Sequence, residues 1–348
     1  MPTRIGHSRP RPGGGADQPQ PRGSQRLTLA MLTYRRNAYL EAVLPELVAQ
    51  ARALAPDHEA RVLIVDNDPH AGARPVVARA QEALAADQQE AGARLDYVHE
   101  PEPGIVAGRN RALDEAADSA LLVFIDDDEV PAPGWLEALV SAWSDGGCAA
   151  VTGPTPPDFE SPPNAWVSAS GAFDSWEAPD GAQVRSADTG NLLLDMAVVR
   201  RAGLRFDPRY GLTGGEDSLF TRQLTLAGGV IRFAASAVVT KRVPRERATR
   251  TWVLQRAYRS GSSWARVRIQ TASGSRGALR LAYAARGTAK AARDGLRGAA
   301  ARLSGRVEAQ ARHEVSSRGG LGMVVGAFGM RVREYGRPAK GSKKAERS

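Results

Sequence analysis

The chain has 348 residues, 42% of them hydrophobic, which is enough for one large or two ordinary domains with a substantial core. Its single cysteine excludes a disulfide framework and a cysteine-based metal site, and it predicts a reducing, cytoplasmic location. The amino terminus lacks the apolar core of a signal peptide, and no run approaches the roughly 18 apolar residues that predict a membrane-spanning helix.

The net charge of +9 conceals two oppositely charged parts. Residues 1–240 hold 21 Lys and Arg against 32 Asp and Glu, whereas residues 241–348 hold 26 against 6. This asymmetry predicts a globular catalytic or binding domain followed by a region that meets a polyanionic surface. Anionic lipid and nucleic acid are the two candidates for that surface.

The first 125 residues predict the beginning of an α/β domain. Residues 1–25 are rich in Pro, Gly, Arg and Gln, and we expect them to be disordered. After them, apolar runs that read as buried strands alternate with helical patterns, which predicts a parallel sheet with right-handed crossovers. The predicted strands cover residues 27–32, 61–65, 95–99 and 121–125.

Polar residues follow three of these strands at once, in Thr33-Tyr34, Asp66-Asn67 and Asp126-Asp127-Asp128. Ligands of such sheets bind outside the carboxyl ends of the strands, so the fold should gather these residues at one edge. The acidic cluster, Asp126 to Glu129, places four carboxylates together, and their repulsion calls for a cation. Since the ligands are hard oxygens, Mg²⁺ or Mn²⁺ is favoured over zinc. A solvated acidic turn is the alternative interpretation of the triplet alone.

The middle of the chain predicts a continuation of the same domain. A helix is expected to open near Trp135, itself a core residue, followed by a strand at 149–152. A loop-rich insertion covers residues 154–188, and its aromatic rings favour a functional role. A further strand at 189–194 precedes a glycine-rich turn and a helix that opens with Glu216-Asp217, where carboxylates also serve as simple caps.

From about residue 249 the character of the sequence changes. The pattern predicts basic helices as far as about residue 317, a glycine-rich segment over 319–329, and a Lys-rich frayed end. Its Ala, Arg and Leu residues with interspersed Trp and Tyr suit an interfacial helix on anionic lipid. The region shows no recognisable nucleic-acid-reading motif, so nucleic acid is the less favoured partner, and a region that only solvates or dimerises the protein stays open.

Four features in this order resemble the family 2 glycosyltransferases with the GT-A fold. They are Thr33-Tyr34-Arg35, Val65-Asp66-Asn67, Gly104 to Asn110 ahead of the acidic triplet, and Gly214-Gly215-Glu216-Asp217. Gly190-Asn191 with the later Arg-rich helix resembles the bacterial exopolysaccharide transferases of the succinoglycan group. The resemblance implies an α/β GT-A domain, Rossmann-like with a mostly parallel central sheet, over residues 26–240. A basic, mainly α-helical region at 241–335 and a disordered tail at 336–348 would follow.

The resemblance also implies a role for each matching residue. Asp126 and Asp128 would be the ends of an Asp-x-Asp motif that binds Mg²⁺ or Mn²⁺, with Asp128 the direct ligand. Asp217 would be the general base, with Glu216 beside it. Asp127 is a further candidate for donor binding. Both Asp127 and Glu129 are also expected to be structural or solvent-facing. The nucleotide-diphosphate sugar donor would contact Thr33, Tyr34, Arg35, Asp66, Asn67, Arg109, Asn110, Asp126 and Asp127.

The acceptor side is assigned more loosely. Trp166, Phe173 and Trp176 could stack on a sugar or merely pack the insertion, and Asn191 could contact a substrate or make a strand-end hydrogen bond. Gly215 completes the acceptor candidates. The acceptor itself would be lipid-linked or a polysaccharide, met at the inner face of the membrane by a peripheral enzyme.

Chemistry and two departures from the family pattern refine this expectation. One base and no enzyme nucleophile imply a single displacement with inversion at the anomeric carbon. Many relatives carry a His or acidic group after the last domain strand, where this chain has Lys241-Arg242. The Gln-x-x-Arg-Trp motif of processive relatives is absent, so a transferase that adds one sugar is favoured.

A sugar nucleotidyltransferase is the alternative enzyme, and a nucleic-acid-binding protein that acts through the basic tail is the alternative outside catalysis. The first would need a Gly-rich, Lys- or Arg-bearing phosphate loop after the first strand, and the sequence there does not have one. The second would bind with a steep dependence on salt.

Overall fold

The computed structural model describes residues 25–86, 93–211 and 213–330. The segments predicted to be disordered, 1–25 and 336–348, lie outside these residues except for Gln25, which begins the first strand. The strands are β1 Gln25–Thr33, β2 His58–Asp66, β3 Ala93–His99, β4 Leu121–Asp126, β5 Glu129–Pro131, β6 Ala150–Thr152, β7 Pro157–Phe159, β8 Gln183–Val184, β9 Asn191–Asp195, β10 Ile231–Phe233 and β11 Val239–Val243. The helices are α1 Asn37–Ala53, α2 Arg74–Ala86, α3 Ile105–Glu115, α4 Trp135–Gly146, α5 Ala165–Ala169, α6 Met196–Arg201, α7 Glu216–Leu226, α8 Arg250–Thr271, α9 Arg276–Leu303 and α10 Val307–Ala327, with a 3-10 helix at Pro208–Tyr210.

A central sheet of eight strands has the order β3-β2-β1-β4-β9-β6-β10-β8. Strands β3, β2, β1 and β4 are parallel to one another, and so are β6 and β10. Strand β9 runs antiparallel between β4 and β6. The predicted strands at 27–32, 61–65, 95–99 and 121–125 lie within β1 to β4. The predicted mostly parallel α/β sheet is therefore confirmed.

Apolar side chains cover both faces of this sheet. Along β1, Leu29 and Met31 pack into one buried cluster, while Ala30 packs into a second cluster on the opposite face. A strand that is buried on both faces reads as a continuous apolar run, which is why it was recognisable in the sequence. Trp135 is completely buried in the first cluster, as predicted.

A second, three-stranded sheet has the order β5-β11-β7 and was not predicted. Its strands have three to five residues each, too short to leave a periodic pattern. In this sheet Lys241 of β11 lies opposite Glu129 of β5. The predicted domain boundary after residue 240 falls inside β11, and the division into domains stays a prediction.

The C-terminal helices α8, α9 and α10 confirm the predicted basic helical material, but helix α10 continues through the predicted glycine-rich segment as far as Ala327. Glycine disfavours an isolated helix, and close packing overrides that preference here. A Cβ atom on Gly322 would overlap the backbone oxygen of Tyr258, and one on Gly326 would overlap that of Ser262. Within the described residues, the structure contains no helix both long and apolar enough to cross a membrane.

Candidate active site

The three polar strand ends meet at one edge of the sheet, as predicted. In the strand register Thr33 lies opposite Asp66, and Leu32 lies opposite Asp126. The Thr33 hydroxyl donates to Oδ2 of Asp127 at 3.1 Å, and the backbone N–H of Tyr34 donates to the same oxygen at 3.4 Å. The end of β1 is thus tied directly to the acidic cluster.

Three basic side chains neutralise the acidic cluster. Arg36 Nη1 lies 2.5 Å from Asp127 and 3.1 Å from Asp128, and Arg247 Nη1 lies 2.9 Å from Asp128. Lys241 Nζ lies 2.8 Å from Glu129, 3.2 Å from Asp126 and 3.5 Å from Asp128. The cation that the sequence calls for is therefore supplied at least partly by the chain itself.

Two members of the cluster are not solvent-facing, and that part of the expectation is wrong. Asp127 is 8% exposed and Glu129 only 2% exposed, because their carboxylates point inward to Arg36 and Lys241. Gly190 makes room for Glu129, since a Cβ atom at residue 190 would lie 2.5 Å from Oε1. Their burial and ion pairs agree with the alternative expectation, that Asp127 and Glu129 are structural.

The pKa values of the cluster follow from burial and these partners. Burial, reinforced by Asp126, raises the pKa of Glu129 to about 7 even with Lys241 beside it. Burial also opposes ionisation of Asp126, a third of whose side chain is accessible. Lys241 and Arg109 nevertheless hold the pKa of Asp126 below the usual range. Burial disfavours the Lys241 ammonium, yet the surrounding carboxylates raise its pKa well above the ordinary value.

Asp126, Asp128 and Glu129 could together hold a divalent ion. One oxygen from each lies within 4.8 Å of the others, and oxygen-only donors suit Mg²⁺ or Mn²⁺. Lys241 Nζ lies within 3.5 Å of all three carboxylates, so it contacts the same side chains that an ion would use. The residues fit a metal that shares the cluster with Lys241.

A buried ion pair links the acidic cluster to the start of α7. Arg109 is 4% exposed, and its Nη1 donates to Oε1 of Glu216, while Nη2 lies 3.9 Å from Asp126. The Glu216 carboxylate is thereby neutralised inside the protein. Asp217 is half-buried and accepts a hydrogen bond from the Ser218 backbone at 2.6 Å, so of the two predicted catalytic carboxylates it is the accessible one.

Gly215 shapes the start of α7. It has a φ of 87°, and a Cβ atom there would lie 2.7 Å from Cβ of Ser263 on α8. The Ser263 hydroxyl donates to the carbonyl oxygen of Gly214 at 3.0 Å. Helix α8 therefore packs directly on the turn that presents Asp217.

The structure adds an acidic residue that the sequence did not single out. Desolvation by the surrounding protein raises the pKa of Asp188 to about 6, and the nearby Asp217 carboxylate adds to this increase. The shift occurs even though the Asp188 side chain is exposed. Asp126 raises it further, while Lys241 and Arg256 oppose the shift. Asp188 precedes the Thr189-Gly190-Asn191 segment and ends a long insertion, where no pattern marks it.

Three further predicted donor residues, like Thr33, Asp127 and Arg109, make side-chain hydrogen bonds within the protein. The Asp66 carboxylate is fully buried and accepts hydrogen bonds from the backbones of Asp68 and Ala73 and from the Tyr97 hydroxyl. Asn67 donates to the carbonyl oxygens of Glu100 and Glu102, and Asn110 forms two hydrogen bonds with the Phe206 backbone. These side chains shape the loops around the site.

A pocket of about 330 Å³ opens beside Asp128. Arg35, Arg36, Tyr39 and Arg247 are among the residues that line it. Tyr34 lies next to it, 37% exposed, with the Arg35 guanidinium 5.2 Å from the centre of its ring. Sequence reasoning missed Arg36 and Arg247: the first directly follows a recognised motif, and the second carries no local signal.

The aromatic residues of the insertion do not form one surface. Trp166 is 9% exposed and packs with Val253 of α8 and Ala311 of α10, so the packing alternative holds for it. Asn191 is 1% exposed and makes the strand-end hydrogen bonds, accepting from Trp135 and donating to Ala237. Phe173 is partly buried and stacks on Trp252 of α8, whereas Trp176 is 52% exposed and keeps a face for a ligand.

Sequence comparison assigns the chain to a class of enzyme. Residues 28–206 match the family profile described as "Glycosyl transferase family 2". This protein belongs to that family, and it is a glycosyltransferase with the GT-A fold.

Particular relatives can also be named. The chain is 31% identical over 269 residues to the succinoglycan biosynthesis protein ExoM of Rhizobium meliloti (strain 1021), a match that covers 76% of this chain and 82% of ExoM. Among solved structures, residues 1–349 of S. aureus TarS superpose with a TM-score of 0.47 at 13% identity, covering 85% of this chain and 92% of that one. GalNAc-T7, solved with UDP, GalNAc and Mn²⁺, superposes with a TM-score of 0.45 at 12% identity. The match covers 70% of this chain, which spans about half (48%) of the length of GalNAc-T7.

Proposed function

We propose that the protein is an inverting, metal-dependent transferase that moves one sugar from a nucleotide-diphosphate donor to an acceptor hydroxyl. One observation carries the proposal: a single guanidinium, that of Arg109, contacts both Glu216 and Asp126. The start of α7 is thereby fixed beside the acidic cluster. In this proposal, one bound donor would lie between Asp217 at the start of α7 and the acidic cluster, which would bind its diphosphate.

Asp217 acts as the general base. An acceptor hydroxyl is a poor nucleophile, so a carboxylate within hydrogen-bond reach must take its proton during attack on the anomeric carbon. Glu216 is engaged by Arg109 and serves to position α7. With no enzyme nucleophile in the scheme, one displacement inverts the configuration at the anomeric carbon.

The diphosphate leaves beside Asp128. A divalent ion held by Asp128 and Asp126, either Mg²⁺ or Mn²⁺, would neutralise charge on the departing oxygens. Arg36, Arg247 and Lys241 surround the same carboxylates and add fixed positive charge for the leaving group. The pocket of about 330 Å³ that Arg36 and Arg247 help to line is the proposed diphosphate site.

The nucleotide is placed along the ends of β1 and β2. Tyr34 and Arg35 contact it directly, with the backbone of Thr33 beneath them. Asp66, Asn67 and Asn110 act by shaping the loops that they hydrogen-bond. Trp176 is the aromatic residue that we assign to the acceptor.

The acceptor is proposed to be a lipid-linked or polysaccharide glycan of the cell envelope. The relative named for succinoglycan biosynthesis supports an exopolysaccharide-type pathway. We place the enzyme in the cytoplasm, peripheral on the inner membrane face, because the basic C-terminal region suits anionic lipid and the single cysteine suits a reducing compartment.

A screen of nucleotide sugars by thermal melting tests this proposal. A ligand at 100 times its Kd adds about 2.7 kcal/mol of stability, so the correct donor should raise the melting temperature. We expect the increase to require Mg²⁺ or Mn²⁺ and to disappear in Asp128→Asn. Asp145→Asn, on the exposed surface of α4, is the matched control. Full stabilisation of Asp128→Asn by donor and metal would contradict the site, and retention of configuration in the product would contradict the mechanism.

A further inference from the structure

Helix α9 has two stripes of small or apolar residues on opposite sides. The buried stripe consists of Gly287, Ala291, Asp294, Gly298 and Ala301 and packs against α10. The residues on the other side recur at steps of three and four, which keeps them on one face of a helix. We call this exposed set the apolar stripe: Ala278, Leu281, Ala285, Ala289, Ala292, Leu296, Ala299 and Leu303.

The apolar stripe is unusually exposed for its composition. Leu281 is 67% exposed, Leu296 is 75% exposed and Leu303 is 91% exposed. Helix α9 has 28 residues, so at 1.5 Å per residue the stripe runs for roughly 40 Å. An apolar band of that length is too extended to be explained as isolated surface leucines.

The charges of α9 suit an anionic partner. The helix carries seven Lys and Arg against one Asp, and that Asp is buried and paired with Arg293. At 100° per residue, Arg286, Arg293 and Arg297 lie along one side of the stripe, and Arg302 lies along the other. Exposed leucines with a row of arginines beside them match the acyl and headgroup layers of an anionic membrane surface.

We propose that α9 lies in the plane of an anionic membrane, with the apolar stripe inserted among the lipids and the flanking arginines on the phosphates. This inference extends the proposed function, since it identifies the surface by which the transferase would reach a membrane. Nucleic acid would engage the arginines but gain nothing from the leucines. A second copy of the chain would place identical rows of arginine against each other.

Vesicle flotation of the full-length protein tests the proposal. We expect flotation with vesicles of phosphatidylglycerol in phosphatidylcholine and much less with phosphatidylcholine alone. Leu296→Gln should weaken binding several-fold, and the triple variant Leu281→Gln/Leu296→Gln/Leu303→Gln should weaken it about tenfold or more. The matched control is Leu226→Gln, since Leu226 is 58% exposed at the end of α7 and should leave flotation unchanged.

Further variants separate the outcomes. Arg286→Gln/Arg297→Gln should lower binding to the anionic vesicles and reduce its salt dependence. Wild-type flotation by the triple leucine variant would overturn the proposal. It would also be overturned by a leucine-dependent dimer in solution that ignores vesicles, or by binding to DNA without binding to vesicles. Asp217→Asn should float like the wild type, and donor-induced stabilisation should survive in the leucine variants, so failure here and failure of the catalytic proposal are distinguishable.

Discussion

The sheet region and the C-terminal helices solve the packing problem in opposite ways. The sheet is covered by large branched and aromatic side chains, and the charges at the carboxyl ends of its strands are largely buried and paired. Helices α8 to α10 meet through glycine and alanine, and apart from the buried Asp294 the charged side chains of α9 are at least partly exposed. A charge change should therefore be costly at the sheet edge and mild at the exposed positions of the helices, whereas an added methyl group should be costly between the helices.

The largest expected loss comes from breaking the buried pair at the sheet edge. Arg109→Leu leaves the Glu216 carboxylate uncompensated, which should lower the free energy of unfolding by about 3–5 kcal/mol. Arg111→Leu, two residues along α3, removes a partly exposed pair with Glu115 and should cost at most about 1 kcal/mol. Denaturant unfolding of both proteins checks this, and equal losses would mean that burial at the edge does not matter.

Lys241→Met tests the charge balance of the acidic cluster. It removes the ammonium shared by Asp126, Asp128 and Glu129, so it should destabilise the protein by about 2–3 kcal/mol without metal. Because the freed carboxylates attract a divalent ion, Mg²⁺ or Mn²⁺ should stabilise this variant more than the wild type. Lys290→Met, which removes a pair with Asp294 in α9, serves as the control. An equal response to metal in both variants would argue against a shared site.

Packing between the helices can be challenged with one methyl group. Gly322→Ala places a Cβ atom against the Tyr258 backbone and should cost about 1–3 kcal/mol. Gly295→Ala places its Cβ atom at an ordinary 3.4 Å from Ser317, so the better helix propensity of alanine should add up to about 1 kcal/mol. Thermal melting distinguishes the two signs, and stabilisation by both variants would show that α8 and α10 are not in close contact.

The smallest effect concerns Asp188 and pH. Since the folded protein raises the pKa of Asp188 from 3.8 to about 6, the unfolded chain releases the proton first as pH rises. The free energy of unfolding should therefore fall between about pH 4 and 6 and stay lower above that range. The loss should be about 0.5–1 kcal/mol, because solvent screens an exposed carboxylate. Asp188→Asn should remove it, and an unchanged pH profile of stability would place Asp188 away from Asp217.

The predictable part of the site is the part that local pattern and one topological rule determine. The apolar runs of β1, β2 and β4 fixed the positions of Thr33, Asp66 and Asp126, and parallel strands bring their carboxyl ends together. The partners of the acidic cluster were harder to find, because Arg36 follows β1, whereas Lys241 and Arg247 lie on and just after β11, far from the cluster in sequence. Even Lys241, recognised as a departure from the family pattern, gave no sign that it would contact three carboxylates.

Two other features could not be read from the sequence for different reasons. Gly319 to Gly326 suggest a break in a helix when considered alone, and only the close approach of α8 and α9 makes helix the better state. Trp166 and Asn191 are residue types that serve binding and packing equally well, and burial decides between these roles.

We propose that Asp217 takes the acceptor's proton while Glu216 holds α7 in place. Transfer rates measured for Asp217→Asn, at saturating donor and metal, test it most directly. We predict a loss of about 10²–10⁴-fold in rate, with the wild-type fold and donor-induced stabilisation retained. A wild-type transfer rate in Asp217→Asn would contradict the account.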